Sequence, residues 1–135
     1  MNVVFADTFY YLALLNPRDS AHQEALAISE QLTARLMTTQ YVLTEVADAF
    51  AAPLERPKFL ALLASLETDP DVSIFPASDE LFKKGVELYR RRPDKDWPLT
   101  DCIGFVVMRE NGIAEALTGD SHFKQAGFMP LFTSS

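Results

Sequence analysis

Short apolar runs alternate with longer amphipathic segments along the chain. An unbroken apolar run predicts a buried strand, whereas apolar residues that recur with helical periodicity predict a helix. The runs predict strands at 3–6, 36–38 and 72–75, a fourth strand centred on Leu117, and a fifth strand or packed tail at 129–132. Strands of this kind, separated by helices, form a parallel sheet covered on both faces. The predicted fold class is therefore α/β, a three-layer α/β/α sandwich with a central parallel sheet.

The predicted helices lie between these strands, and some of their ends carry sequence signals. Ser20 followed by Gln23 has the pattern of a capping box, and Ser78 is a typical N-cap for a later helix. The tail 133–135 is expected to fray. The amphipathic segments predict helices at 8–15, 21–33, 41–52, 58–67, 79–91, 100–111 and 121–125.

Composition and charge narrow the class of protein. A chain of 135 residues that is 48% hydrophobic fits a single domain, 1–135, with an ordinary core. No apolar stretch reaches the roughly 18–20 residues of a membrane-spanning helix, and the N-terminal sequence lacks signal-peptide features. The lone Cys102 is expected to be a buried core residue, and a reduced, cytoplasmic location follows. The net charge of −7 argues against nucleic-acid binding, unless several acids hold a metal ion that itself attracts phosphate.

Four acids stand where a parallel α/β protein builds its active site. Asp7 ends the first apolar run, Asp120 follows the fourth, Asp101 opens the buried helix, and Glu45 lies at the edge of an apolar helix face. Side chains in such positions meet in a crevice beyond the carboxyl ends of the strands. Their mutual repulsion calls for a cation, and oxygen ligands suit a divalent metal.

Each acid, taken alone, also has a structural explanation. Asp7 could cap the helix that begins near Thr8, and Asp101 could be a favourable first-turn acid. Asp120 could be a turn residue after Gly119, and Glu45 could be a solvated helix residue. The four together are better explained by a shared acidic site.

The segments that carry these acids resemble the PIN domain family over nearly the whole chain. PIN domains are metal-dependent nucleases, and many small bacterial members are VapC-type toxins of toxin–antitoxin modules. The order and spacing of the segments carry the resemblance more than any one of them does. The segments are Phe5-Ala6-Asp7-Thr8, Leu43-Thr44-Glu45-Val46, Asp96-Trp97-Pro98-Leu99-Thr100-Asp101-Cys102, Leu117-Thr118-Gly119-Asp120-Ser121-His122-Phe123 and Gln125-Ala126-Gly127-Phe128.

This resemblance implies a ribonuclease of the toxin type that uses Mg²⁺ or Mn²⁺, forms a homodimer and binds a small antitoxin. Asp7 and Asp101 would hold the principal ion, while Glu45 and Asp120 would complete the acidic pocket. The ion would activate water and stabilise charge on the scissile phosphate. Two positions depart from the family: Ser121 stands where relatives often have arginine, and Pro98 where they often have serine.

Other residues near the motifs are candidates for supporting roles. Thr8 and Thr100 adjoin acids and could orient them, and His122 could be a general base but fits a structural role better. Trp97 is expected to pack against the sheet edge, with base stacking as the alternative. The basic residues that lead to the loop before Asp101 could contact the RNA backbone. These are Arg90, Arg91, Arg92 and Lys95.

Two other classes of protein stay open. An acidic-site phosphatase also gathers acids at strand ends, although Asp7-Thr8-Phe9 lacks the second aspartate that a haloacid-dehalogenase-like phosphatase needs. A receiver-type phosphoacceptor domain is disfavoured because Phe75-Pro76-Ala77 follows the third strand. A catalytically weak PIN-like protein-interaction domain would keep the acids, and Mg²⁺-dependent RNA cleavage would distinguish it from a nuclease.

Overall fold

A computed structural model describes residues 2–133 and contains one parallel sheet with helices around it. The sheet has five strands in the order β3-β2-β1-β4-β5, and all its pairings are parallel. This confirms the predicted three-layer α/β/α sandwich, including the fifth strand. The strands are β1 Val3–Ala6, β2 Arg35–Thr39, β3 Val72–Phe75, β4 Glu115–Leu117 and β5 Met129–Pro130.

The helices follow the predicted order, and their ends shift by a few residues. The predicted capping box at Ser20 is wrong, because α2 has Ala21 at its N-cap without a side-chain cap. Asp19 forms the turn before this helix instead, accepting a hydrogen bond from Ala21 N at 2.9 Å. Ser78 caps α5 as predicted, accepting from Leu81 N at 3.0 Å. The helices are α1 Thr8–Leu15, α2 His22–Gln31, α3 Gln40–Ala49, α4 Arg56–Thr68, α5 Asp79–Arg91, α6 Leu99–Glu110 and α7 Ser121–Gln125.

The strand order places a topological switch point beside β1. From β1 the chain builds outward through β2 and β3, then returns to add β4 and β5 on the other side. Phe5 is therefore paired with Met37 on one neighbour and with Ala116 on the other. Loops that leave β1 and β4 in this topology separate at their carboxyl ends and open a crevice. The acids at the ends of these two strands flank that crevice.

The buried helix α6 anchors one side of the sheet. Cys102, Ile103, Phe105 and Val107 are essentially inaccessible to solvent, so the prediction of a core position for Cys102 is confirmed. Packing against α5 is close, since a Cβ at Gly85 would collide with Ile103. Such packing fixes the first turn of α6, which carries Asp101.

The apolar surface of two helices differs from what the sequence predicts. The segments Tyr10-Tyr11-Leu12 and 42–50 carry more apolar residues than one sheet face needs, which predicts exposed apolar surface for a partner. The structure buries them in the core of the chain itself, since Tyr10 and Tyr11 pack against α2 and α3 neighbours. Among the large hydrophobic residues of 2–133, Leu54 is the most exposed at 90%, followed by Leu60 and Met129 at 60% each.

The chain ends and helix lengths complete the description. Thr133 is tied to Glu24 by two hydrogen bonds of 2.8 Å, so it is held more firmly than the predicted frayed tail. The other two residues of that tail, 134 and 135, lie outside the described residues.

Across residues 2–133, each helix is too short or too polar to cross a membrane.

Candidate active site

The first acid, Asp7, lies between the end of β1 and the start of α1. It is only 3% exposed, and its side chain makes no hydrogen bond that caps α1. Asp7 Oδ2 accepts a hydrogen bond from Thr118 Oγ1 at 2.9 Å, across the junction between β1 and β4. The capping interpretation of Asp7 is therefore wrong, and the carboxylate belongs to the crevice.

Thr118 links two of the acids, a role that the sequence analysis missed. It is fully buried directly after β4. While donating to Asp7, its hydroxyl accepts a hydrogen bond from the backbone N–H of Asp120 at 3.0 Å. The sequence does place a threonine hydroxyl at the end of a predicted strand. It does not show which group that hydroxyl contacts, because the contact depends on β4 lying beside β1. That pairing brings Leu117 opposite Ala6.

Asp101 and Asp120 approach each other from two helix starts. Asp101 lies in the first turn of α6 and is 6% exposed. Asp120 is the N-cap of α7, where its Oδ1 accepts from His122 N at 2.9 Å. Asp120 thus has the local role that the turn interpretation expected, with an added role as the cap of α7, and one of its oxygens lies close to Asp101.

Glu45 completes the acidic group from α3. Its Oε1 accepts a hydrogen bond from Thr8 Oγ1 at 2.6 Å. Thr8 therefore orients an acid, as the sequence suggested for a supporting residue. Thr100 is half-buried immediately before Asp101 in α6, and its supporting role stays a prediction.

Electrostatics confirm that the four carboxylates share one region. Burial is the main cause that raises the pKa of Asp7 to about 8, and the charge of Asp101 adds to it. The pKa of Asp101 is raised to about 7, first by burial and then by the charges of Asp120 and Glu45. The expectation that crowding would raise the proton affinity of at least one acid is confirmed. Acids that must hold protons near neutral pH are poised to exchange them for a cation.

The donor set fits a divalent cation. Among the described ion pairs of residues 2–133, no lysine or arginine contacts any of the four acids. One ligand atom each from Asp101, Asp120 and His122 lies within 4.8 Å of the others. Carboxylate oxygens are the ligands that Mg²⁺ and Mn²⁺ favour. The sequence had paired Asp7 with Asp101 as ion ligands, whereas this grouping brings in Asp120 and a histidine nitrogen.

Trp97 has a structural role beside the site. It is 4% exposed, and its Nε1 donates to Gln125 Oε1 at 3.0 Å. Its ring packs edge-on against Phe105 with 5.1 Å between centroids. Trp97 is therefore buried as predicted, but the contacts shown are with α6 and α7 and not with the sheet edge. The base-stacking alternative is wrong, because the ring is covered.

The basic residues lie along an open groove of about 920 Å³ that reaches the start of α6. Arg90 and Lys95 line it, whereas none of the four acids does. Arg92 is held by Asp94 through two hydrogen bonds of 3.0 and 2.9 Å and stacks over Trp97. Leu99 and Cys102 also line the groove, so it adjoins the first turn of α6, which carries Asp101.

This fold and arrangement of acids define a known class. The PIN domain family model matches residues 4–129, and the chain belongs to that family. Among curated proteins, it is similar to the 23S rRNA-specific endonuclease VapC20 of Mycobacterium tuberculosis, with 26% identity over 127 residues. The match covers 94% of this chain and 96% of the relative, and a second strain of the species carries a relative with the same values.

Solved structures show the same similarity. The crystal structure of M. tuberculosis VapC20, described as a Sarcin-Ricin loop cleaving toxin, superposes with a TM-score of 0.86 at 25% identity. It covers 95% of this chain and 98% of that chain. VapBC2 from Rickettsia felis, bound to a DNA fragment from their promoter, gives a TM-score of 0.66 at 11% identity, covering 95% and 96%. FitAcB from Neisseria gonorrhoeae gives a TM-score of 0.65 at 16% identity, and the match covers 96% of this chain and 96% of that chain. The last two comparisons concern the fold alone.

Proposed function

We propose that this chain is an endoribonuclease that hydrolyses RNA phosphodiester bonds with Mg²⁺ or Mn²⁺, acting as the toxin of a toxin–antitoxin pair. The observation that carries the proposal is the convergence of Asp7, Glu45, Asp101 and Asp120 at the switch point of the sheet, without a lysine or arginine partner among the described ion pairs. Burial and the neighbouring acidic charges raise the pKa of Asp7 to about 8 and that of Asp101 to about 7. A divalent cation would relieve that repulsion.

The protein groups would act by holding this pocket in one geometry. Asp7 and Asp101 would bind the principal ion, with Thr118 fixing the Asp7 carboxylate. Glu45, oriented by Thr8, and Asp120 would complete the acidic pocket, by ordering waters around the substrate or by helping to hold an ion. When bound, the ion supplies an activated water and stabilises negative charge on the phosphate and the leaving oxygen.

The RNA target would resemble that of the relatives. VapC20 is named for 23S rRNA cleavage, and its structure for the Sarcin-Ricin loop. We therefore expect a discrete cut in ribosomal RNA rather than general degradation. The experiment is incubation of the purified chain with ribosomes and with protein-free rRNA, followed by primer-extension mapping. One or a few sites cut in Mg²⁺ or Mn²⁺ would support the proposal, and intact RNA under all these conditions would contradict it.

The basic groove would bind the RNA backbone next to the site. Arg90 and Lys95 line it, and Arg90 forms an exposed ion pair with Glu87 at 2.8 Å. Such pairs are weak and give way to phosphate easily. Arg91 and Arg92 would add to the positive potential of the same helix end. This local cluster of positive charge would allow a chain with a net charge of −7 to bind anionic RNA.

Neutralising the groove is expected to weaken RNA binding without slowing turnover at saturating RNA. In the Arg90→Gln, Lys95→Gln double variant, each lost phosphate contact should reduce the slope of log K against log salt by about 0.7 for single-stranded RNA. Binding measured over a salt series tests this. Lys83→Gln removes an exposed charge from the other end of the same helix and should leave the slope unchanged. Equal slopes in the double variant and the wild type would exclude the groove as an RNA contact.

The partner would be a small antitoxin that crosses the acidic crevice. An Arg or Lys offered by that peptide would compete with the cation for the carboxylates. A helix of the peptide would bury apolar side chains in the cleft between α3 and α4, which Ala47, Phe59 and Leu60 line. Since Glu45 lies on α3, one peptide could reach both places.

The homodimer and the cytoplasmic location stay predictions, as does the single domain over 1–135.

Inhibition by the neighbouring gene product is the expected behaviour of this pair. Co-expression should yield a stable complex whose RNA cleavage is suppressed, and light scattering of the free chain should give twice its mass of 15.1 kDa. Leu60→Glu, placed on the exposed apolar surface, should weaken the complex, whereas Lys83→Gln should not. A monomer whose cleavage the neighbour leaves untouched would contradict the toxin part of the proposal and leave the nuclease part standing.

A further inference from the structure

His122 lies between two acids of the proposed site. Its Nδ1 is 3.0 Å from Asp101 Oδ2 and 3.0 Å from Asp120 Oδ1. One ring N–H cannot be aligned with two acceptors equally well, so a hydrogen bond to one carboxylate leaves the contact with the other unexplained. These three side chains can present one donor atom each within 4.8 Å of the others. That spacing suits three ligands of one cation.

We propose that His122 is a direct ligand of the catalytic cation, with an imidazole nitrogen beside the carboxylates of Asp101 and Asp120. This inference rests on the proposed metal-dependent function and deepens it. The ring is partly exposed, with 23% of its side-chain surface accessible, so solvent and ions can reach the site. Histidine is the commonest metal ligand among side chains. Its nitrogen is tolerated better by a transition metal such as Mn²⁺ than by Mg²⁺, which prefers oxygen.

Local structure holds the ring where a ligand is needed. His122 N donates to Asp120 Oδ1 at 2.9 Å, and Asp120 N donates to Thr118 Oγ1 at 3.0 Å. Thr118 in turn donates to Asp7. The backbone of this segment and the carboxylates are thus connected by short hydrogen bonds, and the ring is presented from the same turn. A purely structural histidine would need only one of the two carboxylate contacts.

A nitrogen ligand should change which ion is bound most tightly. The wild-type chain is expected to bind Mn²⁺ more tightly than Mg²⁺, since borderline metals gain more from nitrogen. His122→Gln should weaken Mn²⁺ binding by about 10-fold or more, the scale of losses at metal sites, and should weaken Mg²⁺ binding less. Titration calorimetry with each ion alone measures both effects, with circular dichroism to confirm that the variant is folded.

Pulsed electron paramagnetic resonance of bound Mn²⁺ tests the ligand directly, in the intact wild-type chain. The chain has two histidines, and His22 bonds instead to Ala13 O at 2.8 Å. A ¹⁴N coupling should appear in the wild type, change to a ¹⁵N coupling when histidine is ¹⁵N-labelled, persist in His22→Gln and vanish in His122→Gln. Bound Mn²⁺ without nitrogen coupling would overturn this inference while leaving the metal-dependent nuclease intact. If the wild type bound no Mn²⁺, both would fall together.

Discussion

Replacing Asp7 with Asn should abolish most RNA cleavage while the chain stays folded. The substitution keeps the size of the side chain and its acceptance of a hydrogen bond from Thr118 Oγ1, but it removes a negative charge from the proposed ion site. We expect the cleavage rate to fall by at least about 100-fold, the usual scale for removing one group that stabilises charge in a transition state. Asp101→Asn should behave similarly.

Single-turnover cleavage of the mapped RNA, with excess protein, measures this loss. Asp71→Asn is the matched control, because Asp71 precedes β3 at the opposite edge of the sheet and pairs only loosely with Arg35 at 3.8 Å. The control should cleave at the wild-type rate. Cleavage within a few-fold of wild type by folded Asp7→Asn would show that the buried carboxylate is not part of the chemistry.

Without a divalent ion, the chain should lose stability as the pH rises from about 5 to 8. Folding raises the pKa of Asp7 from 3.8 to about 8 and that of Asp101 to about 7. The folded state therefore holds more protons than the unfolded state in this range, and the stability these protons provide is lost as they dissociate. Each extra proton contributes a slope of about 1.4 kcal/mol per pH unit. Asp120, Glu45 and His122 lie close to these two carboxyls. Their charges therefore influence the pH at which half of this stability is lost.

Denaturant unfolding in EDTA across this pH range measures the slope. Asp7→Asn should make the free energy of unfolding depend less steeply on pH, by the contribution of roughly one bound proton. It should also make the metal-free chain more stable than the wild type near pH 8. Adding Mg²⁺ or Mn²⁺ should restore wild-type stability at high pH, since binding to the folded state alone stabilises it. A metal-free stability that stays level or rises over this range would contradict the shared protonation of the two acids.

The sequence predicted the sheet better than the surfaces around it. The apolar run Val3–Ala6 identifies a strand because both faces of a central strand in a parallel sheet are buried. The edge strand Val72–Phe75 is only partly buried, and its pattern is correspondingly weaker. The capping box at Ser20 failed since Asp19 offered a competing turn one residue earlier. Exposure of Tyr10 and Tyr11 was misjudged because the partner of an apolar helix face is set by tertiary packing, which periodicity does not reveal.

The candidate site was predicted by residue type, and its connections were not. Asp7, Glu45, Asp101 and Asp120 could be picked out because each stands at an element end or resembles a family motif. The hydrogen bond from Thr118 to Asp7 depends on β4 pairing beside β1, which no local pattern encodes. The same holds for His122, whose approach to Asp101 joins α6 and α7 across the intervening strand β4.

The most direct test of the central claim is RNA cleavage by one sample before and after its divalent ions are removed. The rate in Mg²⁺ or Mn²⁺ should fall to background in excess EDTA and return when the ion is added back. Parallel melting curves would show that the chain remains folded during the cycle. A cleavage rate in EDTA equal to that in Mg²⁺ would contradict the claim that these four acids act through a bound cation.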